Sequence, residues 1–235
     1  MKHSRNYILS VYTVFIIELL TLICSMAFCE RFLGFNTLSM GELQSNEDPI
    51  LIVAIFFILI DCVIEWRWID KNKGKIIVIL LYIFTISCEN LIYGMMLALL
   101  DCMFKDVGWN NIIQYTFWIT VVVFISITIW GFLTKRKDYN HPILNYCFIG
   151  SVVVGIFNIF WGWSWLNIIL DIVDIIIVSL FIYFDTIKIK QHAKRVITFS
   201  KKVKFLNVLK DASGIYLDFL VIWSSLFDLM AESED

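Results

Sequence analysis

The chain has 235 residues, 60% of them hydrophobic and only 17% charged, and its mean hydropathy is +0.79. That balance excludes an ordinary soluble domain and places the chain among integral membrane proteins. The formal net charge of −2 says little about partners. No nucleic-acid motif, internal repeat or low-complexity tract accompanies it, so the placement of the charges carries the information.

A backbone in lipid must satisfy its own polar groups, so the long apolar runs are read as helices. Seven runs are expected to span: Tyr7–Cys29, Ile50–Trp68, Ile76–Leu99, Ile112–Leu133, Ile143–Trp161, Leu166–Phe184 and Ala212–Met230. At ~20 residues per crossing they use roughly 140 residues, which leaves a single all-α membrane domain over residues 1–235 and no room for a soluble one. The first run is too long for a signal-peptide core and has no small-residue cleavage site, so it counts as a helix. Pro49 and Pro142 each precede an apolar run, at a first-turn position where the missing N–H costs nothing. Six cysteines are scattered at apolar positions without a CxxC or a Cys/His cluster. They are read as small buried apolar residues, with zinc and thiol chemistry disfavoured.

Charge then orients the spans. With the N-terminus inside, seventeen of the nineteen Lys/Arg fall on inner segments, and only Arg31 and Lys105 fall outside. This bias predicts a cytoplasmic N-terminus, an odd number of spans and an external C-terminus. The tryptophans fit interfacial belts: Trp66, Trp68 and Trp130 within, Trp109, Trp161, Trp163 and Trp165 without. The longest inner loop, Lys188–Lys210, carries eight Lys/Arg and one His. It is read as following the positive-inside rule, with anionic lipid head groups as its possible partner.

Against this frame, nine carboxylates lie within the spans. An Asp at a helix centre costs roughly 2.5–3.5 kcal/mol on insertion scales. Asp171, Asp174 and Asp228 lie in the outer third, and Glu65 lies near an inner end; each has even odds of being merely interfacial. Glu18 lies near mid-depth of the first span and Glu89 mid to outer in the third. Asp61 and Asp218 lie at about the same level, and Asp185 lies about 5 Å from the inner end of the sixth span. Acidic chains of this kind make cation pathways and proton relays. The pathway candidates are Asp61, Glu89, Glu18, Asp171 and Asp174. Asp185 and Asp218, on consecutive helices at similar depth, are the candidate gate. Two carboxyls a few ångströms apart in low dielectric cannot both ionise cheaply, so they share a proton. Arg67 and Lys71, at the inner end of the second span, are the candidate basic partners. Asn158 and Glu89-Asn90 are read evenly as interhelical glue or as pathway.

These same residues carry a resemblance. Ala212 and the run Ile215-Tyr216-Leu217-Asp218-Phe219 resemble the A-L-x-L-Y-L-D-F signature of the Bax inhibitor-1 family (the transmembrane Bax inhibitor motif proteins). Phe184-Asp185-Thr186 resembles its Y-D-T-Q element. VVGIFNIF in the fifth span and YIF in the third look like the bacterial YetJ branch. The resemblance is clear over 143–230 and fainter but collinear before that. It implies a seven-helix bundle with the last helix central and a pH-sensitive Ca²⁺ leak. In that reading Asp185 and Asp218 form a di-aspartyl sensor latched by a basic residue of the second span. Eukaryotic members sit in the endoplasmic reticulum and oppose cell death. The chain departs from the family pattern at Ile187 (Gln there), at Val221 (Asn there) and at Cys88-Glu89-Asn90 (Gly-rich there), and these departures bear on gating pH and selectivity.

The expectation is therefore a non-enzymatic, pH-sensitive calcium or cation leak channel without a cofactor. Ca²⁺ is its cargo and binds transiently at Asp185 and Asp218; other cations and protons remain open as substrates. A monomer in a bacterial plasma membrane is expected, or in the endoplasmic reticulum for a eukaryotic chain. The alternatives are a proton-coupled exchanger, a non-conducting scaffold or sensor for protein partners, and, least favoured, an intramembrane aspartyl protease. The protease reading lacks a Gly-x-Gly-Asp context at Asp218.

Overall fold

The structure, a computed structural model, describes residues 2–32, 82–84, 86–87, 90–95, 112–136, 142–161, 163–196, 198 and 200–232. Among them all regular structure is helical. The helices are α1 (Lys2–Phe32), α2 (Ile112–Leu133), α3 (Pro142–Trp161), α4 (Ser164–Arg195) and α5 (Lys201–Glu232). Residues 82–84, 86–87 and 90–95 are also helical. Among the described residues, four stretches are long and apolar enough to cross a membrane: His3–Cys29, Ile112–Leu133, Trp165–Arg195 and Val203–Met230. The expected span Ile50–Trp68 lies outside the described residues, and Ile76–Leu99 is described only in part.

Two compact units form, one from residues 1–15 with 111–235 and one from 16–110. In the first, α5 contacts both α2 and α4, and α3 packs on α4. Half of the α5 span is buried, against 17–22% of the other three, so the last helix is the most enclosed of the four. An aromatic cluster ties α5 to its neighbours: Phe117 and Phe124 of α2 lie 5.8 and 5.7 Å from the Phe219 ring, and Phe15 of α1 stacks on Phe124 at 5.0 Å. Trp223 of α5 donates its indole N–H to the Thr116 hydroxyl of α2 at 3.1 Å, which satisfies a polar tip that burial would otherwise strand.

Small residues set the α2–α4 approach. A Cβ on Gly131 would lie 2.8 Å from the Thr186 side chain and 3.2 Å from the Tyr183 carbonyl, so α4 comes as close as a bare backbone permits. The α2 C-terminus is closed by α4, where the Lys190 ammonium donates to the Phe132 and Thr134 carbonyls at 2.6 and 2.7 Å. A cation at that end meets the orphan carbonyls and the negative end of the helix dipole.

Pro142 opens α3 as its first residue, as a proline at N1 should. Asn158 bonds across to α4, its amide donating to Asn167 Oδ1 at 2.6 Å. Its amide donates to the Trp163 carbonyl at 3.1 Å and accepts from the Trp163 N–H at 3.1 Å, which closes the turn into α4. Trp161, Trp163 and Trp165 stack in series at 6.1 and 6.0 Å between ring centres. Ile143, Ile149, Ile156, Trp118 and Ile129 are exposed, the apolar outer surface that lipid would cover.

The expected loop Lys188–Lys210 is mostly not a loop. Helix α4 continues to Arg195 and α5 begins at Lys201, with Ser200 accepting the Val203 N–H at 3.3 Å as its cap. The cause is local: the continuous apolar run stops at Phe184, but Lys, Gln, Ala and Arg keep a helix going, and Ile187, Ile189 and Ala193 still bury one face of it. At 1.5 Å per residue the 32 residues of α4 reach about 48 Å, well beyond a ~30 Å hydrocarbon core.

Candidate functional site: a carboxylate–lysine cluster between α4 and α5

The two helices run antiparallel, and their charged residues share one facing stripe. On α4 the stripe is Asp185, Lys188 and His192; on α5 it is Asp211, Gly214 and Asp218. Each set is spaced i, i+3, i+7, which keeps its members on one helix face.

Lys188 is the centre. Its ammonium lies 3.5 Å from Asp185 Oδ1 and 3.5 Å from Asp211 Oδ1. Asp211 is 1% exposed, and its other oxygen, Oδ2, takes two hydrogen bonds of 2.8 Å, one from the Tyr7 hydroxyl of α1 and one with His192 Nδ1. The Tyr7 ring stands edge-on to the imidazole at 6.5 Å. Asp211 is thus a buried acid met by polar side chains of two other helices, α1 and α4, with Lys188 as the charge beside its Oδ1, as burial of a charge demands.

Asp185 reaches across to α5. Its Oδ2 lies 3.0 Å from where a Cβ on Gly214 would stand, so the absent side chain admits the carboxylate. Asp218 follows Gly214 by one turn. Asp185 and Lys188 are the charges that act on it, and its Oδ2 is buried without a hydrogen-bond partner. Asp211 Oδ1 likewise lacks a hydrogen-bond partner, so the cluster holds two exceptions to the pairing of buried polar atoms.

A second acidic feature lies further along the same helices. A cavity of about 470 Å³ is lined by Asp171 and Asp174 of α4, Asp228 of α5, Asn167 of α4, and Ser151 and Gly155 of α3. The Ser151 hydroxyl donates to Asp174 Oδ1 at 2.6 Å. Asp228 stands ten residues from Asp218, about 15 Å along the helix. In the intervening turns Val178, Ile182 and Ile222 are buried.

The sequence profile described as "Inhibitor of apoptosis-promoting Bax1" matches residues 4–235, and with them every residue of this cluster. The chain belongs to the Bax inhibitor-1 family. No match is found among curated proteins.

In this Bax inhibitor-1 family chain, the residues expected from sequence fall in several places. Asp185 and Asp218 come to one face of the α4–α5 pair, and Asp171 and Asp174 share the cavity. Glu18 belongs to the other unit, where the Tyr82 hydroxyl donates to its carboxylate and Asn90 donates to its backbone carbonyl at 3.3 Å. Asp61, Arg67, Lys71 and Glu89 lie outside the described residues. Among the described residues the basic group beside Asp185 is Lys188, one turn along its own helix. Sequence reasoning missed Lys188, His192, Asp211 and Tyr7 as site residues. The i, i+3, i+7 spacing of the α4 charges was the available signal for the first two. Asp211 fell one residue before the apolar run. Tyr7 is 204 positions away from Asp211, and nothing local announces that contact.

Among the described residues no group of three or more His, Cys, Asp or Glu side chains has the geometry to hold a metal ion.

Proposed function

We propose that the protein is a pH-sensitive cation leak channel, with Ca²⁺ as its favoured cargo and the Asp185–Asp218 pair as its gate. The observation that carries this reading is one helix pair holding both an acid-lined cavity and, about 15 Å further along, a lysine-bridged carboxylate cluster with an orphan buried oxygen. Oxygen-rich walls suit a hard divalent cation, and negative lining concentrates cations at a pore mouth. Asp171, Asp174 and Asp228 form the outer vestibule. The buried aliphatic turns below it hold the path closed. Asp218, in reach of the Asp185 and Lys188 charges, reports the proton.

The topology that goes with this function is one seven-span domain, with its N-terminus in the cytoplasm and its C-terminus outside. It belongs to a YetJ-like branch in a bacterial plasma membrane and acts as a monomer without a cofactor or enzymatic activity. The seventeen-to-two division of Lys/Arg supports that orientation.

The mechanism follows from charge. With one proton shared by Asp185 and Asp218, the pair carries a single negative charge beside Lys188, which Asp211 also shares, and the helices stay packed. Loss of that proton leaves both carboxylates of the pair ionised in a low-dielectric gap, with no further ammonium to balance the added charge. Their repulsion favours separation of α4 from α5, or entry of a cation. Reconstitution tests this reading: vesicles that contain the protein and a trapped calcium dye should fill faster than protein-free vesicles, at a rate that depends on pH. Equal rates at every pH would end it.

A further inference from the structure

The gate uses the charges that face each other between α4 and α5. It leaves unassigned the charges that face outward at the same end of these helices. Three contacts fix a common level there: Tyr7 of α1 reaches Asp211 of α5, Lys188 of α4 reaches the same carboxylate, and Lys190 donates to the carbonyls that end α2. Arg5, Lys135, Arg136, Lys194, Arg195 and Lys210 are all exposed. Each lies within seven residues of that level, about 10 Å at the helical rise. Among the described residues the acids of this band are Asp185 and Asp211, and both stand beside Lys188 in the α4–α5 contact. The exposed charge of the band is therefore all positive.

The band falls at the depth of a headgroup layer. Trp165 stands 19 residues before Phe184, about 29 Å along α4, which matches the ~30 Å of a hydrocarbon core. Residues 188–195 then continue about 6–17 Å past that edge. Apolar side chains are exposed at the same end, Leu133 of α2 at 76% and Val203 of α5 at 42%. Cations with apolar side chains among them suit an interface, where the stems lie on the apolar edge and the charged heads reach outward.

We propose that this basic band, shared by the ends of α1, α2, α4 and α5, binds the headgroups of anionic phospholipids. A lipid layer fits better than an acidic protein because the cations are spread over four helices at one level rather than gathered in a cleft. A phosphate diester offers a negative charge and oxygens that accept from ammonium and guanidinium groups. Lys188 and Lys190 take no part, since both are engaged between helices. The Arg136 guanidinium lies over the Phe184 ring at 5.3 Å, and a stacked guanidinium keeps its edge N–H groups for a phosphate. Helix α3 carries no charged residue and adds nothing to the band.

Lipid binding here is independent of the channel reading, and its test uses no flux. The full chain is reconstituted in phosphatidylcholine bilayers that contain a trace of spin-labelled phosphatidylglycerol or of spin-labelled phosphatidylcholine. Electron spin resonance then gives the fraction of each label held at the protein boundary. At low salt phosphatidylglycerol should be preferred by about fivefold, the contribution of one cation near the surface, and the preference should shrink as salt rises. The combined variant Lys194→Gln, Arg195→Gln, Lys210→Gln, which changes only exposed side chains, should lower it. Equal held fractions of the two lipids in the wild type at low salt overturn the proposal without any variant. So does a preference that the combined variant leaves intact. Binding of poly-glutamate to the protein with no lipid preference would assign the band to an acidic protein partner instead. A silent flux assay beside a clear lipid preference would sink the channel and leave this band standing.

Discussion

Lys188 stands 3.5 Å from Asp185 and 3.5 Å from Asp211, so one ammonium on α4 holds a carboxylate of its own helix and a buried carboxylate of α5. The α4–α5 pair is therefore joined at this level by charge, set among the buried apolar residues Ile187, Ile189, Ala212 and Ile215. Gly214 makes room for the arrangement by leaving the Asp185 carboxylate against bare α5 backbone.

Removing the bridge should cost stability in a pH-dependent way. In Lys188→Met, Asp185 and Asp211 face each other without a counter-ion. Breaking a fully buried pair costs roughly 3–5 kcal/mol; Lys188 and Asp185 are 24% and 26% exposed, so a loss of about 1–3 kcal/mol is expected after screening. The sign with pH follows from linkage. The penalty exists while both acids are ionised and fades as acid protonates either one. Thermal unfolding in detergent should show the gap between variant and wild type narrowing as pH falls. A gap that widens in acid would contradict the bridge.

The α2–α4 approach should tolerate no side chain at Gly131. A Cβ there would stand 2.8 Å from Thr186 and 3.2 Å from the Tyr183 backbone oxygen, and backbone cannot swing aside as a side-chain tip does. Gly131→Ala should lower stability by about 1–3 kcal/mol, the usual cost of overpacking, despite the better helix propensity of alanine. Gly150→Ala is the control, because nothing lies within 4 Å of its Cβ position. Equal melting temperatures for the two variants would contradict the described crossing.

The acidic cavity should concentrate cations. In the combined variant Asp171→Asn, Asp174→Asn, Asp228→Asn, the initial calcium flux should fall by on the order of tenfold at low salt, and the difference should shrink as salt screens the lining. The pH midpoint of the remaining flux should stay where it was, because the gate lies about 15 Å away along the helices. A shifted midpoint with an undiminished rate would assign the cavity to gating instead.

How much of this could be read from the chain varies with the physics. Ile112–Leu133 was bounded from its apolar length alone and forms a helix over those same residues, because lipid leaves a long apolar run no other satisfied backbone. The carboxylates at depth were legible for the same reason: charge inside an apolar run is conspicuous. Helix ends were less legible. The stretch from Lys188 to Arg195 looks like a loop by charge, yet its residue types sustain a helix, so α4 and α5 overran their apolar spans and carried Lys188, His192 and Asp211 into register. The basic partners expected for Asp185, Arg67 and Lys71, lie outside the described residues; Lys188, on the same helix, was not sought because ion pairs at depth usually join different helices, yet it stands 3.5 Å away. The Tyr7–Asp211 contact joins the two ends of the chain, and only the folded arrangement of α1 against α5 reveals it.

The central claim is that a proton at the Asp185–Asp218 pair sets conduction. Its most direct test is calcium flux into vesicles containing the wild type or Asp218→Asn, measured in one series from acid to alkaline pH. The wild-type rate should change severalfold across the series, and the rate of the variant, which has one carboxyl and no shared proton, should stay nearly flat. A variant that keeps the wild-type pH profile would contradict the account.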